Sequence, residues 1–112
     1  MEMRMINVAK EFSEVPVGRF YSDGPDSGER FRDTLLVPAL LEHDVVEINL
    51  DGTDGYGSSF LEEAFGGVVR KLGLTEAEAH RRIRFKSSDT SYLLEINDYI
   101  RDAAKRPTVG QH

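Results

Sequence analysis

The middle of the sequence constrains the fold more than any other part. Val45–Leu50 alternates between apolar and polar residues, with Val46 and Ile48 on one side, and this predicts a strand that is buried on one face. A Gly-rich loop follows, and apolar residues then recur at helical spacing over Ser59–Leu72. A strand, a loop and a long helix in this order predict an α/β domain whose sheet is covered mainly on one side.

Similar patterns on either side predict the remaining elements of one domain. The other strands are expected at Met5–Ala9 and, as a short strand, at Ile83 and Phe85, and an extended stretch is expected at Val15–Tyr21. The other helices are expected at Ser27–Leu41, from Thr75 onward and at Asp89–Lys105. The single domain therefore spans residues 1–112, with an ordered core over about 5–105 and a frayed tail that follows Pro107 and ends at His112.

Three local features refine these helices. Pro38 lacks a backbone N–H, so the helix that contains it should kink or split near its last turn. Thr75 and Glu78 have the spacing of a capping box. Gly66 and Gly67 lie inside a helix at a cost of roughly 1 kcal/mol each relative to alanine, which indicates that this helix closely approaches the sheet.

Charge and residue types exclude several classes of function. Twenty acidic residues against 14 basic ones give a formal charge of −6, which suits neither nucleic-acid binding nor binding to an anionic membrane. The sequence has no cysteine, so disulfides, thiolate catalysis and Cys-ligated zinc are excluded. No apolar run reaches the roughly 20 residues of a membrane span, and Met1–Ile6 does not resemble a signal peptide. We therefore expect a cytoplasmic domain.

Ser58 and Ser59 lie where the Gly-rich loop meets the helix. The first N–H groups of a helix have no helical partner, and the positive end of the helix dipole lies there, so this position suits an anion or a phosphorylated serine. The alternative is structural. Ser59 and Glu62 have the spacing of a capping box, and a capping serine needs no further role.

Two further groups of polar residues lie in the loops. The possible ligand-binding residues are Arg19, Asp23, Ser27, Arg30, Arg32, Asp51 and Asp54. Arginines near a helix start can clamp a phosphate or a carboxylate, but they can equally pair with neighbouring carboxylates. The two aspartates that follow the central strand can hold magnesium, although an Asp-Gly turn explains them without a metal.

Two blocks of residues give the chain a family resemblance. They are Asp23-Gly-Pro-Asp-Ser-Gly-Glu-Arg-Phe-Arg32, and Leu50-Asp-Gly through Ser58-Ser-Phe-Leu-Glu-Glu-Ala-Phe-Gly-Gly67. With these blocks the chain resembles the STAS-like domain family of unknown function, a set of small domains related to anti-sigma-factor antagonists. The resemblance covers nearly the whole domain, and it implies a mixed sheet with the helices gathered mainly on one face.

The resemblance also implies a phosphorylation site. In the antagonists, one serine of an Asp-Ser-Ser-Gly-Leu motif at a helix start is phosphorylated by a partner kinase that is also the anti-sigma factor. In this chain the motif falls on residues 57–61, with Ser59 at the phosphoacceptor position and Ser58 beside it. Gly57 replaces the aspartate of the motif, and Phe60 replaces its glycine. The implied partner contacts are Tyr56, Gly57, Phe60, Leu61 and Glu63.

Three hypotheses for function follow. The first is a non-enzymatic regulatory module that binds another protein, for example a histidine-kinase-like ATP-binding protein, and is switched by phosphorylation. The second is a small domain that binds a phosphate or nucleotide ligand with both Gly-rich loops. The third is a subunit of an obligate assembly, such as a homo-oligomer. We expect no catalytic residue, no cofactor and no metal.

Overall fold

A computed structural model describes residues 3–105, which form three strands and five helices. The strands are β1 (Met3–Asn7), β2 (Val45–Asn49) and β3 (Ile83–Lys86). The helices are α1 (Val8–Glu11), α2 (residues 28–42), α3 (residues 58–72), α4 (Glu76–Arg82) and α5 (Thr90–Lys105). The predicted frayed tail at residues 106–112 lies outside the described residues. Within residues 3–105, no helix combines the length and the apolar character that crossing a membrane requires.

The three strands form a parallel sheet in the order β1-β2-β3, with Ile6 beside Ile48 and Ile48 beside Phe85. The expected mixed sheet is therefore wrong for the described residues. Both connections between neighbouring strands pass through helices, and such crossovers produce parallel neighbours. Right-handed crossovers that advance in one direction place their helices on one face of a sheet; for this chain, helix packing on one face stays a prediction.

The 15–21 segment is not a strand. Pro16 has no backbone N–H to donate to a ladder, and Gly18 adopts a φ of +96°, which turns the chain out of an extended path. Its backbone pairs with loops instead, since Gly57 N–H donates to the Pro16 carbonyl (3.3 Å) and Gly28 N–H donates to the Gly18 carbonyl (2.9 Å). A 3₁₀ turn at Tyr21–Asp23 follows. Alternation therefore predicted β2 correctly, whereas the extended stretch predicted at residues 15–21 does not join the sheet.

The first strand begins and ends two residues earlier than predicted. The predicted Met5–Ala9 is observed as Met3–Asn7, because Asn7 caps the short helix α1. Its side chain accepts a hydrogen bond from Lys10 N–H (3.1 Å). Sequence periodicity alone does not detect this cap, since a single helical turn is too short to show a repeat.

Helices α2 and α3 each contain a π-helical turn. In α2 the α-helical segments Gly28–Phe31 and Val37–Glu42 flank a π segment at Arg32–Leu36. Pro38 does not end the helix, since α-helical geometry continues beyond it to Glu42. The π segment thus ends at Leu36, two residues before the proline at which the sequence predicted a kink or a split.

In α3 the segments Ser58–Leu61 and Gly67–Leu72 flank a π segment at Glu62–Gly66. π-Helical turns inside α-helices occur often at functional sites. The predicted apolar stripe of α3 is buried, including Leu61, Phe65 and Val68.

The core lies where α2 and α3 cross and pack with the sheet. Phe31 of α2 contacts Phe60 and Phe65 of α3, with ring centroids 5.8 and 5.9 Å apart, and all three side chains are fully buried. Gly28 allows this crossing. A Cβ on Gly28 would lie 2.5 Å from the Phe60 carbonyl oxygen and 3.1 Å from Ala64 N, so no larger residue fits without moving a helix.

Candidate functional site

Helix α3 begins with two exposed serines. Gly57 is the N-cap residue, and its carbonyl accepts the first helical hydrogen bond from Leu61 N–H (3.1 Å). Ser58 and Ser59 are therefore the first two residues inside the helix, and both are exposed. The predicted capping box of Ser59 and Glu62 is wrong, because the helix starts before Ser59 and its N-cap makes no side-chain hydrogen bond.

The loop before α3 is fixed from two sides. Tyr56 Oη donates a hydrogen bond to the Leu50 carbonyl (2.8 Å), and Tyr56 N–H donates to Tyr92 Oη (3.3 Å). Burial raises the pKa of Tyr56 above its ordinary value. On the other side, the nearest atom to a Cβ on Gly57 would be the Cα of Val17, at 3.9 Å. The start of α3 and the 15–21 segment are therefore neighbours.

The 15–21 segment presents an apolar surface beside the two serines. Val17 keeps 53% of its surface exposed and Phe20 keeps 47%, although both residue types are usually buried. The exposed apolar residues of this segment are Val15, Val17, Phe20 and Tyr21. This surface was not predicted, because the sequence indicated only an extended stretch at these residues.

A network of ion pairs links the 15–21 segment to the side of α3. Arg19 Nη1 lies 2.5 Å from Glu62 Oε1 and 3.4 Å from Glu63 Oε1. Arg70, two turns further along the helix, contacts the other carboxylate oxygen of Glu62 at 2.7 Å. Burial alone would raise the pKa of Glu62, but hydrogen bonds from Arg70 and Arg19 outweigh it and hold this pKa below its ordinary value. The hydrogen bond to Glu62 also raises the pKa of Arg19.

Glu63 and Arg32 connect α3 to α2. Arg32 Nη1 lies 2.5 Å from Glu63 Oε2, and each of these side chains is only 11% exposed. Arg32 also contacts Asp33 at 2.8 Å and Glu29 at 3.8 Å. Since a buried charge needs a partner, this pair is a structural link between the π-helical turns of the two helices.

The two glycines of α3 give these ion pairs their space. A Cβ on Gly66 would lie 2.9 Å from Glu62 Oε2 and 3.4 Å from the Tyr99 carbonyl of α5, and a Cβ on Gly67 would lie 2.9 Å from Arg32 Nη1. The sequence correctly indicated a close approach at these positions. The expected neighbour was wrong, because charged side chains and α5, rather than the sheet, occupy this space.

The residues predicted to contact a partner lie at different depths. Phe60 and Leu61 have no exposed surface, and Glu63 is 8% exposed. Tyr56 and Gly57 are partly exposed at the loop. In this conformation the first three side chains hold α3 in place and offer almost no surface to another protein, so their role as partner contacts stays a prediction.

The predicted ligand-binding residues do not form one group. Asp23 accepts hydrogen bonds from Arg19 N–H (3.1 Å) and Phe20 N–H (2.9 Å) and so closes a turn. Ser27 caps α2 by accepting from Arg30 N–H (3.2 Å), and the Arg30 guanidinium lies over the Tyr21 ring. Their side chains therefore support local structure.

The two loop aspartates that follow β2 make other contacts. Asp51 Oδ1 accepts hydrogen bonds from Ser88 N–H (2.8 Å) and Ser88 Oγ (3.0 Å) and so ties β2 to the end of β3. Asp54 is exposed, and its N–H donates to the Glu14 carbonyl (2.7 Å). Within residues 3–105, no ion pair joins either aspartate to Arg19 or Arg32.

Comparison with known proteins agrees with the resemblance seen in the sequence. A family model described as "STAS-like domain of unknown function (DUF4325)" matches residues 27–93. The match covers more than half of the chain and includes β2, the loop that follows it and all of α3. No curated protein and no solved structure gave a significant match. The chain belongs to the family of STAS-like domains of unknown function.

Proposed function

We propose that this domain is a non-enzymatic interaction module that resembles an anti-sigma-factor antagonist. It binds a protein partner through a docking surface that consists of the 15–21 segment and Ser58 and Ser59. The partner is a histidine-kinase-like ATP-binding protein, which phosphorylates Ser59. The observation that carries this proposal is that Val17, in the same short segment as the exposed Phe20, is exposed and lies beside the start of α3.

An apolar patch of this kind is uncommon on a monomeric surface unless a partner covers it. Val17 and Phe20 are large apolar residues in one short segment, and Asp23 and Glu29 fix the backbone that carries them. A rigid patch loses little conformational entropy when it binds. The two serines beside it place a modifiable hydroxyl at the edge of the same surface.

A phosphate on Ser59 would change the charge of this surface strongly. It adds about −1.5 to −2 charges at neutral pH beside the exposed apolar residue Val17. The N-terminal N–H groups of α3 stabilise the dianion within the domain. A partner that packs against Val17 would then have to desolvate this charge, so phosphorylation is expected to release the partner.

Affinity capture tests this function. The tagged domain is incubated with a lysate of its source organism in the presence of ATP and Mg²⁺, and bound proteins and modified peptides are identified by mass spectrometry. The tryptic peptide 33–70 contains both serines. We expect the unmodified fraction of the domain to retain one ATP-binding protein, and the fraction that this protein has released to carry phosphate at Ser59 on this peptide.

Matched variants show whether the docking surface is responsible. Val17→Asp and Ser59→Asp should each lose the captured protein. Leu94→Asp is the control, because Leu94 is 67% exposed on α5 and lies outside the docking surface, so it should retain the protein. Equal capture by all of these variants would refute the proposal.

A further inference from the structure

Arg19 can leave the ion-pair network without stranding a carboxylate. Glu62 keeps Arg70 at 2.7 Å, and Glu63 keeps Arg32 at 2.5 Å. Both glutamate side chains are mostly buried, so each needs a remaining positive partner. Removal of Arg32 would leave Glu63 only the longer contacts of Arg19 and Arg70, at 3.4 and 3.8 Å, whereas removal of Arg19 leaves a short pair on each glutamate.

The side chain of Arg19 can move while its backbone stays in place. Its N–H donates to Asp23 Oδ2 (3.1 Å), and its carbonyl accepts from Glu29 N–H (3.0 Å). The guanidinium borders a cavity of about 470 Å³, which Tyr99 of α5 also lines. Because it faces open space on this side, it can change partners without displacing core side chains.

Ser59 lies one helical turn before the two glutamates whose carboxylates bind Arg19. Glu62 and Glu63 follow Ser59 by three and four residues, and residues at these spacings are neighbours on a helix surface. Arg19 pairs with both of these glutamates from a separate segment, and its guanidinium is therefore placed to reach a group on Ser59.

We propose that Arg19 recognises the phosphorylated state of Ser59: its guanidinium leaves Glu62 and Glu63 and pairs with the phosphate. The inference rests on the phosphorylation of the proposed function. In that reaction Ser59 Oγ bonds to the γ-phosphorus of ATP, the bond to the ADP oxygen breaks, and the hydroxyl proton passes to a base of the kinase. Since Arg19 lies between Val17 and Phe20, the phosphate then acts on the docking surface through a residue of that surface.

Phosphoserine encoded directly at position 59 tests this inference in the isolated domain without the kinase. The phosphate is titrated by ³¹P NMR, and the Arg19 Nε–H signal is followed with and without phosphate. A guanidinium contact stabilises the dianion, so the phosphate pKa should be about one unit lower in the parent domain than in Arg19→Gln. The Arg19 signal should also shift when position 59 carries phosphate.

Arg101→Gln is the matched control, because Arg101 is an exposed α5 arginine that pairs with Asp98. It should leave the phosphate pKa unchanged. An equal phosphate pKa in the parent and in Arg19→Gln, or an unmoved Arg19 signal, would overturn the inference. If phosphate blocks partner capture but Arg19→Gln leaves the titration unchanged, the proposed function stands and this mechanism fails. If no partner or kinase is found but the titration depends on Arg19, the proposed function fails and the contact between Arg19 and the phosphate stands.

Discussion

Replacement of Gly28 by alanine should destabilise the domain by forcing α2 and α3 apart. The new Cβ would lie 2.5 Å from the Phe60 carbonyl oxygen and 3.1 Å from Ala64 N. Both contacts are with backbone atoms, which cannot rotate away as a long side chain can. To bring the shorter contact from 2.5 Å to an ordinary 3.4 Å, the helices must separate by about 0.9 Å. A gap of this size removes about a quarter to a half of the dispersion energy of the atoms that face it.

The expected magnitude is about 2 kcal/mol. Overpacking in a core costs about 1–3 kcal/mol, and the backbone contacts at Gly28 favour the upper end. Alanine also restricts the unfolded chain more than glycine does, which offsets about 0.4–1 kcal/mol of this loss of stability. For a domain of this size, a net loss of about 2 kcal/mol lowers the melting temperature by about 8 °C.

Urea unfolding followed by circular dichroism measures this loss. Gly57→Ala is the matched control, because its Cβ would meet Val17 at an ordinary 3.9 Å and its φ of −75° suits alanine. Alanine is a weaker N-cap than glycine, but it also restricts the unfolded chain, and these two effects on the free energy of unfolding nearly cancel. The stability of Gly57→Ala should therefore stay within about 0.5 kcal/mol of the parent. If Gly28→Ala unfolds at the same urea concentration as Gly57→Ala, the close helix crossing is refuted.

Three further predictions use the same unfolding measurement. Because Arg70 and Arg19 lower the pKa of Glu62, its ion pairs stabilise the fold fully above its ordinary pKa and lose this effect as the pH falls through the lowered value. Glu62→Gln should therefore weaken the fall of the unfolding free energy with decreasing pH. If that pH dependence is unchanged in Glu62→Gln, the inferred direction of the pKa shift is wrong. Thr75→Ala removes an observed capping box and should cost about 1 kcal/mol, whereas Thr90→Ala is the control. Tyr56→Phe removes the hydrogen bond to the Leu50 carbonyl and should also cost about 1 kcal/mol; no loss would show that water replaces it.

The sequence predicted those parts of the fold that local patterns determine. Alternation in Val45–Leu50 predicted β2, observed as Val45–Asn49, and helical periodicity predicted α3 and α5 to within one residue. These elements bury one consistent set of side chains, so the local pattern and the tertiary structure agree. The sequence also predicted an extended stretch at residues 15–21, but none of the three strands within residues 3–105 pairs with it, and a strand without a partner leaves its backbone groups unpaired.

The candidate site was predicted only in part for the same reason. The position of Ser58 and Ser59 at a helix start follows from local sequence. The partner of Glu62 does not, since Arg19 lies 43 residues away and only the fold brings the two together. One signal was available, because two adjacent glutamates beside Gly66 and Gly67 in an apolar helix need cationic neighbours.

The packing of α3 also determines how the domain can respond to a charge at Ser59. The next two residues, Phe60 and Leu61, are completely buried, and exposure of either side chain would cost about 1.5–3 kcal/mol. A partly exposed ion pair such as that of Arg19 contributes about 0–1 kcal/mol. The helix start is therefore held in place, whereas the Arg19 contact is easily exchanged. A new charge at Ser59 should consequently redirect Arg19 and the surface of the 15–21 segment before it moves α3.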